Sequence, residues 1–205
     1  MKEVNKEYYY HICTNNELNI GDIITTDKYN YFYYSIYDSE YKNNNNLDAN
    51  QLLLNMFNNR KLSFNTINDL NTVLKTISND AFITRELILE EVRKEINNEL
   101  PSRLKCLFVT RTLEELSTWI DIFNRTNKKE YRIFKLELTG KIFKGDANYI
   151  LRESISLNKK KEKAKLYWNQ SNTDNPIYEY LFEGTASIVE EIDKGIINDK
   201  RNKRI

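Results

Sequence analysis

"PSRLKCLFVTRTLEEL", residues 101–116, holds the change of character that decides the fold class. Pro101 lacks an N–H and has a fixed φ, so it stops the helix-patterned segment that runs up to it. Leu104–Thr110 then reads as a strand of the buried type, apolar and partly β-branched. Thr112 and Glu115 follow at the spacing of a capping box, which opens an amphipathic helix over "LEELSTWIDIF" (113–123).

Downstream, "YRIFKLELTG" (131–140) alternates, with Ile133 and Lys135 on one face and Phe134, Leu136 and Leu138 on the other. "KIFKGD" (141–146) continues as a strand or bend. "SLNKKKEKAKLYW" (156–168) reads as a helix, and "IYEYLFEG" (177–184) and "ASIVEEI" (186–192) as two further strands. Upstream, residues 7–13 form a strand, and the tyrosine-rich 23–41 is too β-prone for a helix. Lys42–Asn46 is an asparagine loop. Helical spacing recurs over 47–59, 65–78 and 83–100, the last with Ile83, Leu87, Val92 and Ile96 along one stripe. Helices precede and interrupt a sheet without βαβ alternation, which predicts an α+β class in one domain spanning 1–205, with a mixed sheet and 47–100 as a helical insertion.

Composition bounds the function. Hydrophobic residues at 40% and charged residues at 30% describe a soluble globular domain, and a net charge of +1 favours no partner class. Residues 1–100 carry a net −5 and 101–205 a net +6, which permits a basic face for an anion. The five glycines build neither GxGxxG nor GxxxxGK[ST], so Rossmann and P-loop cradles are excluded. Cys13 and Cys106 with the single His11 lack the ligands of a zinc site and read as buried free thiols. The chain opens on no apolar signal core, and no stretch approaches the ~18 apolar residues of a membrane span, so the expectation is a cytoplasmic protein. The tyrosines of 29–41 are candidates for base stacking, with an exposed strand as the plainer reading.

Four segments in order resemble the signature of ADP-ribosyltransferases of the His–Tyr–Glu class. Tyr10-His11 ends a strand and precedes Leu18-x-x-Gly21-Asp22; Leu107-Phe108-Val109-Thr110 matches the second motif strand. Trp119 lies eleven positions past Phe108 in the following helix, and Tyr178-Glu179-Tyr180-Leu181-Phe182-Glu183 is similar to the last motif. The likeness covers roughly 7–25 and 101–192. It implies a split β-sheet of that family's type and mono-ADP-ribosyl transfer from NAD to a protein, nucleic acid or small-molecule acceptor. A bacterial toxin or phage-defence setting, with an antitoxin or inhibitor partner, belongs to the same implication. NAD glycohydrolysis and a degenerate nucleotide- or partner-binding protein are the alternatives.

The resemblance assigns the roles. Breaking the nicotinamide–ribose bond develops positive charge on the sugar, which a carboxylate stabilises. That carboxylate is Glu179, with Glu183 on the same strand face as its competitor. His11 holds a ribose hydroxyl, the backbone of Ile12 meets the carboxamide, and Phe108 and Trp119 grip the cationic ring. Ser102 and Arg103 are candidates for a phosphate of NAD. Two departures stand out. Phe108 replaces the usual Tyr, and Leu116 replaces a Ser one turn before the helix aromatic.

Overall fold

A computed structural model describes residues 1–14, 17–60, 63–126, 130–150 and 155–194. The sheet consists of β1 (Lys2–Cys13), β2 (Ile23–Thr25), β3 (Leu107–Val109), β4 (Arg132–Asp146) and β5 (Tyr178–Glu191). β4 lies between β1 and β5, while β2 and β3 sit end to end along the other edge of β5. Every pairing among the described residues is antiparallel, where a mixed sheet was expected. The segment between β4 and β5 carries a helix but does not cross over the sheet, and the two strands pair as a long antiparallel ladder.

β5 is one strand where two were expected, because Gly184 does not end it. Gly184 pairs with Gly140 of β4, and both have positive φ. A Cβ on either would collide with the opposite backbone, so the two glycines let the strands approach and bend together. The alternation in β4 is as expected. Phe134, Leu136 and Leu138 are fully buried in one cluster with Tyr9, Val109 and Phe182, while Ile133 packs on the other face under Leu116 and Ile120. Burial of side chains of this kind stabilises by about 1.5–3 kcal/mol each.

Five α-helices lie among the described residues: α1 (Tyr31–Tyr37), α2 (Ala49–Asn58), α3 (Ile67–Ile96), α4 (Leu113–Thr126) and α5 (Leu157–Trp168). α2 and α3 account for the helical 47–100 block. The two helices expected over 65–78 and 83–100 are one, 30 residues long, because Ser78-Asn79-Asp80 contains neither Gly nor Pro. Polar residues there cost only a few tenths of a kcal/mol each in propensity. The buried stripe of α3 is also rotated from the expected one: Phe82, Glu86, Leu89, Val92 and Arg93 face inward, while Leu87 and Ile96 are exposed. The capping box opening α4 is present, with the Glu115 N–H on Thr112 Oγ1 and the Thr112 N–H on Glu115 Oε2.

The tyrosine-rich stretch is the largest correction, since it holds a helix. Asn30 caps α1, its side chain accepting from the Phe32 N–H. Tyr29 stacks on Tyr33 at 3.7 Å and Tyr33 on Tyr37 at 4.4 Å, pairs at i, i+4 that offset poor helix propensity. The Asn30 amide also donates to the carbonyls of Arg103 and Cys106, which ties α1 to the turn before β3.

Candidate functional site

The turn Ser102–Cys106 brings the buried chemistry of the molecule together. The backbone N–H of Ser102 donates to Glu183 Oε1 at 2.7 Å, and its hydroxyl to Glu90 at 3.1 Å. Arg103, only 3% exposed, points inward. Its Nε donates to Glu86 Oε2 at 2.8 Å, and its Nη1 to Glu179. Tyr167 donates its hydroxyl proton to the same Glu179 oxygen at 2.6 Å. Glu86 is held from its other side by Arg85 Nε at 2.8 Å. Two guanidiniums and two carboxylates thus alternate through the interior.

The charges explain the titration behaviour of the cluster. Burial opposes ionisation of Glu86, but Arg103 and Arg85 outweigh it and hold the carboxyl below the usual range. Burial likewise opposes the charge on Arg103, and Glu179 and Glu86 more than offset this, so it stays protonated. Burial drives the Tyr167 hydroxyl well up, and the Glu179 charge adds to that, so it keeps its proton, donating to Glu179 while its oxygen accepts from Arg103 Nη1 at 3.2 Å. The Cys106 thiol is pushed up by burial. Cys13 and Cys106 are both buried free cysteines.

Beside this cluster, β1 and β3 are joined by a single bridge, Tyr10–Thr110, with N–H to carbonyl distances of 2.8 and 2.9 Å. His11 spans the strands next to it: Nδ1 lies 2.8 Å from the Phe108 carbonyl. A carbonyl needs a donor, so Nδ1 carries the proton and Nε2 is the acceptor. Burial lowers the His11 pKa more than this bond raises it, which keeps the ring neutral. Ile12 is one position further along β1. Strand alternation turns its backbone polar groups to the same side as those of Tyr10, toward β3 and past the end of the bridge.

Phe108 and Glu179 share one face of the β3–β5 pair, Phe108 being opposite Leu181. The Phe108 ring lies 5.1 Å from the Arg103 guanidinium and 4.9 Å from the ring of Phe32 in α1. Trp119 donates its indole N–H to the carbonyl of Tyr178 at 2.7 Å, anchoring the residue before Glu179. Phe108, Trp119 and Glu179 therefore lie together on one face at this end of β3 and β5. His11, paired with Phe134, alternates onto the other face and meets them only through the Phe108 carbonyl. Ser102 and Arg103 are committed to Glu183, Glu90, Glu86 and Glu179, so neither is turned outward to a phosphate in this conformation. Glu183 holds the 102 turn, which separates it from Glu179 in role. Leu116 is fully buried core.

Glu86, Tyr167, Asn30 and Phe32 went unrecognised in the sequence. The one local signal was a glutamate on the buried stripe of α3, visible only once that stripe is correctly phased.

The fold and this cluster define an α+β protein with one antiparallel sheet and a buried ionic core at the β3–β5 end. The chain belongs to the family described as "Protein of unknown function (DUF2441)", whose model matches residues 9–194. No curated protein matches it. Among the described residues no helix is long and apolar enough to cross a membrane.

Proposed function

We propose that the chain is a NAD-dependent mono-ADP-ribosyltransferase, built on a sheet split between β1 and β3. One observation supports this reading: Phe108, Trp119 and Glu179, distant in sequence, share one face of the β3–β5 pair, and His11 bonds the Phe108 carbonyl where β1 and β3 part after a single bridge. The groups there suit the substrate. The Nε2 of a neutral His11 accepts from a ribose hydroxyl, and the outward backbone of Ile12 pairs with a carboxamide. Phe108 and Trp119 offer aromatic faces to a cationic ring. Glu179 supplies the anion that stabilises positive charge developing on the sugar as the glycosidic bond breaks. Productive binding requires α1 to lift Phe32 from Phe108 and Glu179 to exchange Arg103 for substrate.

A second reading, nucleotide or partner binding without chemistry, is favoured by one feature: Glu179 is 5% exposed and already held by Arg103 and Tyr167. Nicotinamide release from NAD, measured with and without cell extract, separates the readings. Release with extract only supports the transferase, with the acceptor in the extract; release without it supports NAD glycohydrolysis. In either case Glu179→Gln should abolish release. No release under any condition overturns the enzyme and leaves the binder.

A further inference from the structure

A cleft of about 240 Å³ lies between α1 and α3, and its lining includes Phe32, the ring that also touches Phe108. Its α3 wall is formed by Lys75, Ser78, Asn79 and Phe82. These positions fall at i, i+3, i+4 and i+7, a single helical face. The polar break that divides the α3 pattern in two is thus a wall of this cleft. Facing it are Tyr31, Phe32 and Ser35 of α1, with Tyr41 beyond, so the tyrosine-rich stretch lines it too.

The chemistry of the walls is uneven in a way that selects a ligand. Phe32 and Phe82 meet edge to face at 5.1 Å, and with two tyrosines they make an aromatic slot. None of the lining residues is acidic, and the exposed Lys75 brings the one formal charge among them. Ser35 is buried, and its hydroxyl has no hydrogen-bond partner. Its oxygen is closed to solvent in this conformation, so the hydroxyl must turn toward the cleft, and a ligand acceptor there would meet a donor that is otherwise unsatisfied. A dry cavity of about 150 Å³ holds one benzene, so this volume takes one or two fused rings.

We propose that the α1–α3 cleft is a binding site for a small planar aromatic acid. Its ring lies among Tyr31, Tyr41 and Phe82, its acid group meets Lys75, and Ser35 turns to donate to it. The inference stands apart from the enzymatic reading: none of its lining residues is assigned a contact with NAD, and only Phe32 figures there, as the ring that α1 lifts from Phe108.

The test uses 1-naphthoate and its neutral twin 1-naphthamide, titrated calorimetrically into the full chain. The expected result is saturable 1:1 binding, with naphthoate about tenfold tighter than the amide, a difference set by one charge-assisted contact. Lys75→Met should erase that preference while leaving the thermal midpoint of the free protein unchanged, because Lys75 is exposed. Ser35→Ala should weaken the binding of both probes. Equal binding of the twins, a preference that survives Lys75→Met, or no saturable binding overturns the site.

Discussion

Arg103→Met is the sharpest perturbation of the buried cluster. Methionine roughly replaces the aliphatic stem but deletes the charge between Glu86 and Glu179. The two carboxylates are not left equal. Glu86 keeps Arg85, whereas Glu179 keeps only the Tyr167 hydroxyl. The cost is therefore mostly that of one uncompensated buried anion, about 3–5 kcal/mol. For a chain of this length each kcal/mol moves the thermal midpoint by roughly 2–4 °C, so a fall of about 10 °C is the central expectation. Glu179→Gln alone should cost less, about 1–2 kcal/mol, since its amide oxygen still accepts from Tyr167 and Arg103 retains Glu86. In the double variant both charges are gone and the penalties should not add. Urea unfolding of the four proteins at pH 7 reads the coupling directly, expected at about 2 kcal/mol or more. Additivity within about 0.5 kcal/mol would show that the two groups do not stabilise one another, and would refute the account of the cluster.

His11 has a folded-state pKa below its ordinary value of about 6.5, so the unfolded chain binds more protons and stability falls as pH drops below that value. His11→Asn keeps a donor for the Phe108 carbonyl without titrating, and should flatten the change in urea midpoint between pH 7 and pH 5; an unchanged slope would count against burial of the imidazole. Gly145→Ala should destabilise by about 1–3 kcal/mol, read as a lower thermal midpoint, because the added methyl runs into the Tyr167 ring. Phe108→Ala should cost about 2–4 kcal/mol by emptying the space between Phe32 and Arg103. If Phe108 also stacks on nicotinamide, NAD affinity of the folded fraction, measured by calorimetry, falls as well.

The legible parts of the fold were those fixed by short-range rules. The period of two in β4 and the Thr112–Glu115 box depend on neighbours within four residues, and each is where periodicity or capping puts it; α3 ends at Ile96, short of the stop expected at Pro101. What failed depends on distant partners. The 29–41 stretch has strand propensity, yet α1 forms because Asn30 bonds to carbonyls of the 103–106 turn and Phe32 finds Phe82 and Phe108. Gly184 has the local appearance of a strand end, and only Gly140, 44 positions earlier, makes it the middle of one.

The candidate site is a different case. An ordered set of motifs names strands that do lie close, with Phe108 and Glu179 on one face and His11 bonded to the Phe108 carbonyl from the neighbouring strand. It does not encode what else each side chain touches. Arg103 stood out as an outward phosphate contact because an arginine after a helix end is usually solvated. The inward turn follows from Glu86, whose buried carboxylate on α3 must find a cation, and from Glu179, which needs the same one. Arg103 bridges both, Arg85 supplies the second positive charge, and the four-group cluster is neutral. That economy has a functional consequence. Any ligand hydroxyl that takes a hydrogen bond from Glu179 competes with a guanidinium already in place, so the affinity of the site is governed by how far Arg103 can shift its weight onto Glu86. Glu86→Gln, by weakening that alternative, should tighten the hold of Arg103 on Glu179 and lower nicotinamide release while leaving every proposed substrate contact intact. Wild-type release in a folded Glu86→Gln protein would sever the ionic core from the chemistry.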